Sequence, residues 1–158
     1  MPRRVRGTLA MSEPTPRATA WPDFVRIVGR LREESAAGGS AILVEGERDR
    51  RSLRRLGIVG PIELVHGGGT LSALAARLAR GGRKVIVLTD WDSEGGHLAQ
   101  RVRDFLTADA VGLDLEYRRK LAKALRGEVV HVEGLHGWAR RTAEAEGTTV
   151  DEALGDAA

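Results

Sequence analysis

The chain has 158 residues, of which 42% are hydrophobic and 30% are charged, and its net charge is +3. This length suits one domain with a single hydrophobic core, and no apolar run approaches the roughly 20 residues of a membrane-spanning helix. Cysteine is absent, which excludes disulfides, thiolate catalysis and cysteine-based zinc sites and fits a cytoplasmic location. Any bound metal must therefore use oxygen or histidine ligands.

The two ends of the chain differ from its centre in composition. Residues 1–20 contain four arginines and one glutamate together with several Pro, Ser and Thr residues, which predicts a disordered basic tail. Residues 147–158 contain three acids and no Lys or Arg, which predicts an acidic flexible tail. The folded domain is expected over residues 21–146. Because the basic tail carries the whole net charge, that charge is weak evidence for a nucleic-acid partner.

The first half of the chain predicts one helix followed by alternating strands and helices. Apolar residues recur at the spacing of one helix face over 22–34, which begins with a proline suited to a first helical turn. The apolar run 41–44 predicts a buried strand that ends at Glu45. A polar helix is expected over 47–55, and a weaker strand is expected over 62–65.

The second half begins with a glycine-rich turn. Three glycines at 67–69 precede Thr70, a suitable N-cap for a helix that ends at the glycines 81–82. The run 85–88 is the strongest strand signal in the chain, and a further helix follows from the glycines at 95–96.

The last third is less regular in its apolar pattern. It predicts a helix over 115–126, an edge strand over 129–132, and a last helix over 135–146. The strands and helices therefore alternate, and the strands are continuously apolar. This order predicts an α/β fold with a mainly parallel sheet of about four strands and helices on both faces.

Acidic residues follow two of the predicted strands. Glu45 ends the first strand, and Asp90 and Asp92 follow the third at a spacing that directs both side chains to one face. Glu94 opens the next helix, where the macrodipole favours an acid. In an open parallel sheet, ligands bind outside the carboxyl ends of the strands. We therefore expect these four carboxylates to converge at one edge of the sheet.

Converging carboxylates repel one another unless a cation neutralises them, and oxygen ligands favour Mg²⁺ or Mn²⁺. Mg²⁺ usually takes one or two protein carboxylates and leaves positions for water and phosphate oxygens, which favours phosphoryl chemistry. A simpler interpretation is that a strand-end acid only caps the next helix. Two aspartates followed by Glu94 favour the metal, whereas Glu45 considered alone fits either interpretation.

Two segments resemble the motifs of a known family. The segment AILVEGERDRRSL is similar to the first motif of the Toprim domain, and KVIVLTDWDSEGG is similar to the second. The resemblance covers residues 40–105 and extends to small stand-alone Toprim proteins of archaea and bacteria, related to a ribosomal-RNA maturation nuclease. It implies a Rossmann-like Toprim fold and metal-dependent chemistry on nucleic acid, including RNA processing.

The resemblance also implies roles for the four acids. Glu45 matches the general acid or base and is also a candidate metal ligand, and Asp90 and Asp92 match the metal ligands. Glu94 matches a third acid that some Toprim members use for metal.

Three positions depart from the family pattern. Glu47 stands where many Toprim proteins have Lys, Ser93 where topoisomerases and primases often have Arg, and Trp91 where Pro is common. The loss of two cations argues against topoisomerase or primase activity.

Glycines and arginines near the motifs are candidate phosphate contacts. Gly46 and Gly95 would let the backbone approach a phosphate closely. Arg48, Arg51 and Arg55 belong to an arginine run that could follow a nucleic-acid backbone, although such a run is equally typical of a solvated helix face.

Three functions fit this pattern. The first is a Mg²⁺-dependent phosphodiesterase, or nuclease, acting on structured RNA or DNA, in which Glu45 moves a proton. The second is a non-catalytic module that binds nucleic acid through the metal within a larger complex. The third is a haloacid-dehalogenase-like phosphatase with Asp90 as nucleophile, which would require its motif on the first strand of the sheet.

Overall fold

The computed structural model describes residues 19–109 and 111–155. Helices and strands alternate through most of this range, and a 3₁₀ turn precedes the last two helices. In chain order the elements are α1 (Ala20–Ala36), β1 (Ser40–Val44), α2 (Glu47–Arg55), β2 (Ile62–Leu64), α3 (Leu71–Gly81), β3 (Lys84–Val87), α4 (Ser93–Ala108), β4 (Leu113–Asp114), α5 (Glu116–Ala124), the 3₁₀ turn (Val132–Gly134), α6 (Leu135–Ala145) and α7 (Val150–Gly155).

The four strands form one parallel sheet in the order β2-β1-β3-β4. Ile42 of β1 lies between Ile62 of β2 and Ile86 of β3, and all five residues of β1 are buried. Continuous apolar strands of this kind need cover on both faces. The α/β prediction of about four mainly parallel strands is confirmed, and β1 and β3 are the central pair whose carboxyl ends meet.

Alternate residues of the central strands enter two separate cores. Ile42 and Val44 point into the larger core, which α1, α2, α5, α6 and α7 complete. Leu43, Val85 and Val87 point into a smaller core completed by α3 and α4. The period of two along a strand explains this division. Helices therefore cover both faces of the sheet, as predicted.

The C-terminal segment departs from the prediction of a flexible acidic tail. Residues 150–155 form α7, and Val150 and Leu154 are buried in the larger core. The prediction is wrong over 147–155 because the acids face solvent while an apolar pair at i, i+4 docks. Residues 156–158 lie outside the described residues, as do residues 1–18 of the predicted basic tail.

The predicted edge strand over 129–132 is also wrong. This segment is irregular and leads into the 3₁₀ turn, and the short strand β4 forms that edge of the sheet instead. The Trp91 N–H donates to the Val130 carbonyl at 3.0 Å, so this segment bonds to the loop after β3 rather than to a strand. No helix in 19–109 or 111–155 is long and apolar enough to cross a membrane.

Candidate metal centre

The carboxyl ends of β1 and β3 bring together two acids that lie 45 residues apart in the chain. The Leu88 N–H donates to the Leu43 carbonyl at 2.8 Å, which continues the pairing of the two strands towards their ends. Just beyond, the Asp90 N–H donates to Glu45 Oε2 at 2.9 Å. The side chain of Glu45 therefore lies directly against the start of the loop that carries both aspartates.

Asp90, Asp92 and His131 form the group that is best placed to hold a metal ion. One ligand atom from each residue lies within 4.8 Å of the ligand atoms of the other two. His131 Nε2 lies 3.1 Å from Asp92 Oδ2. The predicted metal ligands also included Glu45 and Glu94, and neither belongs to this group. Glu94 is exposed in the first turn of α4.

Asp92 is placed both to cap a helix and to bind a metal, the two roles that the sequence left open for it. It is the N-cap of α4, and its Oδ1 accepts a hydrogen bond from the Gly95 N–H at 2.8 Å. Its Oδ2 faces His131. One oxygen therefore caps the helix while the other is directed towards the candidate metal position, and the cap fixes the orientation of the carboxylate.

His131 is a functional candidate that sequence reasoning missed. It was placed inside the predicted edge strand, and it lies 39 residues beyond Asp92 without any ligand-like spacing. The neighbouring Val132 N–H donates to Asp90 Oδ1 at 2.8 Å, and the indole N–H of Trp91 donates to the Val129 carbonyl at 2.7 Å. Trp91, one of the departures from the family pattern, thus holds the histidine loop at the site.

Burial and repulsion between carboxylates raise the pKa of Asp90. Burial raises the pKa of Asp90 to about 6, and the charges of Glu45 and Asp49 also raise it, while the Val132 N–H and His131 oppose the rise. Burial likewise raises the pKa of Asp49. The site thus holds desolvated carboxylates that a divalent cation would neutralise, and the oxygen and imidazole donors fit such an ion.

Arg118 of α5 supplies a cation next to these carboxylates. Its guanidinium donates to the Thr89 carbonyl at 3.1 Å and to the Asp90 carbonyl at 2.8 Å. Burial lowers the pKa of Arg118, and the three nearby site carboxylates act in the opposite direction. The sequence analysis did not single out Arg118, and it found Glu47 and Ser93 where many Toprim proteins have cations.

The two motif glycines have different surroundings. A Cβ added to the buried Gly95 would lie 1.8 Å from the Asp90 carbonyl oxygen, so only glycine lets α4 begin this close to the loop. Gly46 has open space around it, and its N–H donates to Asp49 Oδ2 at 3.0 Å. The close approach at Gly95 is therefore to the protein's own backbone, and the predicted phosphate contacts of both glycines remain predictions.

The three predicted arginines lie together at a neighbouring surface. Arg48, Arg51 and Arg55 line a cleft of about 520 Å³ with His136 and Arg140 of α6. Glu133, which follows His131 by two residues, lines the same cleft. The arginines thus lie beside the candidate metal centre rather than inside it.

Comparison with known proteins agrees with this geometry. Residues 40–134 match the family model for the Toprim domain, and the chain belongs to the Toprim domain family. The matched range extends beyond the residues 40–105 that carry the sequence resemblance, and it includes Arg118 and His131. With the family established, the haloacid-dehalogenase-like alternative loses its support.

Within this class, the chain is similar to proteins named UPF0292. The UPF0292 protein of Methanosarcina acetivorans is 34% identical over 119 residues, which are 75% of this chain and 82% of that protein. The UPF0292 protein of Pyrococcus furiosus is 35% identical over 72% of this chain and 81% of its own length. A solved structure, described as a putative protein from Aquifex aeolicus, has a TM-score of 0.58 and 26% identity, and covers 68% of this chain and 94% of that one.

Proposed function

We propose that this protein is a divalent-metal-dependent phosphodiesterase that cleaves structured RNA or DNA. The observation that carries the proposal is the convergence of Asp90, Asp92 and His131 beside Glu45 at the carboxyl edge of a Toprim sheet. An acid or base next to a metal position is the combination that phosphodiester hydrolysis requires. The nucleic-acid substrate is inferred from the family.

Asp90, Asp92 and His131 would hold the ion. When bound, Mn²⁺ or Mg²⁺ would stabilise the charge that develops on the phosphoryl oxygens and make a bound water more acidic. The imidazole of His131 favours Mn²⁺ over Mg²⁺, because Mg²⁺ strongly prefers oxygen ligands. This refines the expectation of an all-oxygen site, which was formed without His131.

Glu45 is the residue to which we assign proton transfer. Its Oε2 accepts the Asp90 N–H, which fixes the carboxylate against the metal loop. Oε1 accepts no hydrogen bond from residues 19–109 or 111–155, and we assign to it the proton of the attacking water. As the new O–P bond forms, the bond from phosphorus to the leaving oxygen breaks, and that oxygen takes a proton from solvent.

Arg118 acts as a positioning residue. Its hydrogen bonds to Thr89 and Asp90 hold the backbone from which the aspartates project, and its charge offsets part of their repulsion. Because its guanidinium is occupied by carbonyl groups, we do not assign it a direct phosphate contact.

The test is cleavage of a labelled RNA hairpin and of a matched DNA hairpin with Mn²⁺, with Mg²⁺ and with EDTA. We expect cleavage only with a divalent ion, and Glu45→Gln should lower the rate by about 10² to 10⁴. Glu47→Gln is the matched control, since Glu47 is two residues away and pairs with Arg50 outside the site. Its rate should equal that of the wild type.

Two outcomes would contradict the proposal. Cleavage that survives Glu45→Gln would remove Glu45 from proton transfer. Metal-dependent binding of both hairpins without any cleavage would replace the enzyme by the second hypothesis, a non-catalytic module that grips nucleic acid through the ion.

A further inference from the structure

A basic cleft lies between α2 and α6, beside the metal centre. Arg48, Arg51 and Arg55 occupy positions i, i+3 and i+7 of α2, so they share one face of the helix. His136 and Arg140 stand at i and i+4 of α6 and form the opposite wall. Two of the three buried residues of α2, Asp49 and Leu53, are absent from the cleft lining, whereas the third, Ser52, lines the cleft between the arginines and α6.

The charge of this cleft is unbalanced. Four guanidinium groups line it against one carboxylate, that of Glu133. Arg48 lies 3.6 Å from Glu133 in an exposed pair, which contributes little. Arg51, Arg55 and Arg140 form no ion pair with any residue of 19–109 or 111–155. Burial lowers the pKa of His136, the charges of Arg55 and Arg140 lower it further, and the charge of Asp151 acts in the opposite direction.

A second charged cavity differs from this cleft because its cations and carboxylates are more nearly equal in number. The cavity between α1 and α5 has about 540 Å³, and five Lys or Arg side chains line it together with four acids. There Lys84 pairs with both Glu34 and Asp114. The α2–α6 cleft has almost the same volume, and among the described residues its only ion pair is Arg48–Glu133. Glu144 and Asp151 line an adjoining cavity with Arg55 and Arg140 but form no ion pair with them, so these guanidinium groups can bind an anion from outside.

The walls of the cleft are held in place by hydrogen bonds. The His136 N–H donates to Ser52 Oγ at 3.1 Å, which ties the start of α6 to the middle of α2. His136 and Gly137 lie in the first turn of α6, so the positive end of that helix also faces the cleft. An anion would therefore meet guanidinium groups whose supporting helices are already fixed.

The cleft begins close to the metal centre. His131 belongs to the metal group and Glu133 lines the cleft, and their Cα atoms are at most about 7 Å apart along the chain. The candidate metal ligands and the lining of the cleft therefore meet within two residues of the chain.

We propose that the α2–α6 cleft binds backbone phosphates of the same nucleic-acid strand whose scissile phosphate lies at the metal centre. Arg51, Arg55 and Arg140 are the contacts, and they fix the register of the strand without reading its sequence. This inference rests on the proposed function, because it takes the substrate to be nucleic acid. Substrates extending over the cleft should bind more tightly than short ones that end at the metal.

The experiment measures binding of a labelled RNA hairpin by fluorescence anisotropy in the Glu45→Gln background with Mn²⁺, so that cleavage does not enter. The affinity is followed from about 50 to 200 mM KCl, and the slope of log K against log salt counts phosphate contacts. Arg51→Gln, Arg55→Gln and Arg140→Gln are compared with Arg80→Gln. Arg80 is an exposed arginine at the far end of α3.

Each cleft variant should weaken binding about tenfold and reduce the salt slope by about 0.7 to 0.9, whereas Arg80→Gln should change neither. Arg51→Lys keeps the charge and should keep the slope, which separates lost charge from damaged folding. Slopes equal to that of the Arg80 variant would overturn the inference while leaving the metal-dependent enzyme intact.

A free phosphate ligand would give a different result. Inorganic phosphate, added at constant ionic strength, would then shift the NMR resonances of His136 saturably while the hairpin affinity of the arginine variants stayed unchanged. That result would overturn the strand-binding inference. Absence of all hairpin binding would overturn both the strand-binding inference and the proposed function. Arginine-dependent binding without cleavage by the wild-type protein would overturn only the proposed enzyme activity.

Discussion

Replacing Asp90 by asparagine should make the metal-free protein more stable at neutral pH while removing its activity. Burial and neighbouring carboxylates make ionisation of Asp90 unfavourable in the folded state. An amide of the same shape carries no charge, and its oxygen can still accept the Val132 N–H that now donates to Asp90 Oδ1. The variant therefore loses the electrostatic cost and keeps the hydrogen bond.

The magnitude follows from the rise of the Asp90 pKa from 3.8 to about 6. At about 1.4 kcal/mol per tenfold change in the ionisation constant, the upper bound is about 3 kcal/mol. Solvent reaches part of the carboxylate and screens its charge, so we expect roughly 1 to 2 kcal/mol. For a domain of this size, that corresponds to a rise in Tm of about 2 to 8 °C.

The stabilising effect of Asp90→Asn should depend on pH in a defined direction. Below about pH 4 the Asp90 carboxyl is protonated in both the folded and the unfolded protein, so it does not affect the free energy of unfolding. Above about pH 6 it is ionised in both, and its unfavourable ionisation in the folded protein lowers the free energy of unfolding in full. The contribution of Asp90 to wild-type stability therefore falls as the pH rises from 4 to 6. The advantage of Asp90→Asn should be full at about pH 7.5 and should shrink towards zero at about pH 4.

The assay is thermal unfolding in EDTA at several pH values. Asp92→Asn is the matched control, because asparagine also caps helices and the Asp92 side chain is 35% exposed, so its Tm should change little. Added Mn²⁺ should stabilise the wild type and leave Asp90→Asn unchanged. A Tm for Asp90→Asn at or below that of the wild type at about pH 7.5 would show that ionised Asp90 does not destabilise the metal-free fold.

Three further substitutions test the supporting structure. Gly95→Ala forces a Cβ onto the Asp90 carbonyl, so it should lower the free energy of unfolding by about 2 kcal/mol or more and abolish metal-dependent cleavage. Gly96→Ala is its control in the same melting and cleavage assays. Its Cβ meets only the Arg118 guanidinium, at 3.7 Å, so this variant should be tolerated. Arg118→Met should lower cleavage and Mn²⁺ affinity together in calorimetric titrations, and unchanged Mn²⁺ affinity would contradict its positioning role. Leu154→Ala should lower the unfolding free energy by about 2 to 4 kcal/mol in urea, and a neutral result would show that α7 does not contribute to the core.

Local patterns in the sequence predicted most of the sheet and part of the site. The central strands are short apolar runs bounded by turn residues, so β1 and β3 could be recognised from a few neighbouring residues. The sequence also predicted a shared site for Glu45, Asp90 and Asp92, because acids at the carboxyl ends of adjacent parallel strands lie near one another. Thr70 was also recognised as an N-cap, and its side chain accepts the Ala73 N–H at 3.0 Å.

The missed residues depend on contacts between distant parts of the chain. His131 reaches Asp92 only because the irregular segment before the 3₁₀ turn bonds to the loop after β3. No local pattern marks Arg118 as a site residue, because it reaches Thr89 only through the packing of α5 beside the end of β3. The helix α7 was missed for a related reason, since two apolar residues among acids form a helix only where a core is available.

The most direct test of the metal centre is a crystal structure grown with Mn²⁺, in which anomalous scattering locates the ion. We expect an ion at the carboxyl edge of β1 and β3, with Asp90, Asp92 and His131 as ligands and Glu45 beside it. Manganese found only elsewhere on the protein, or no manganese at this edge at saturating concentration, would contradict it.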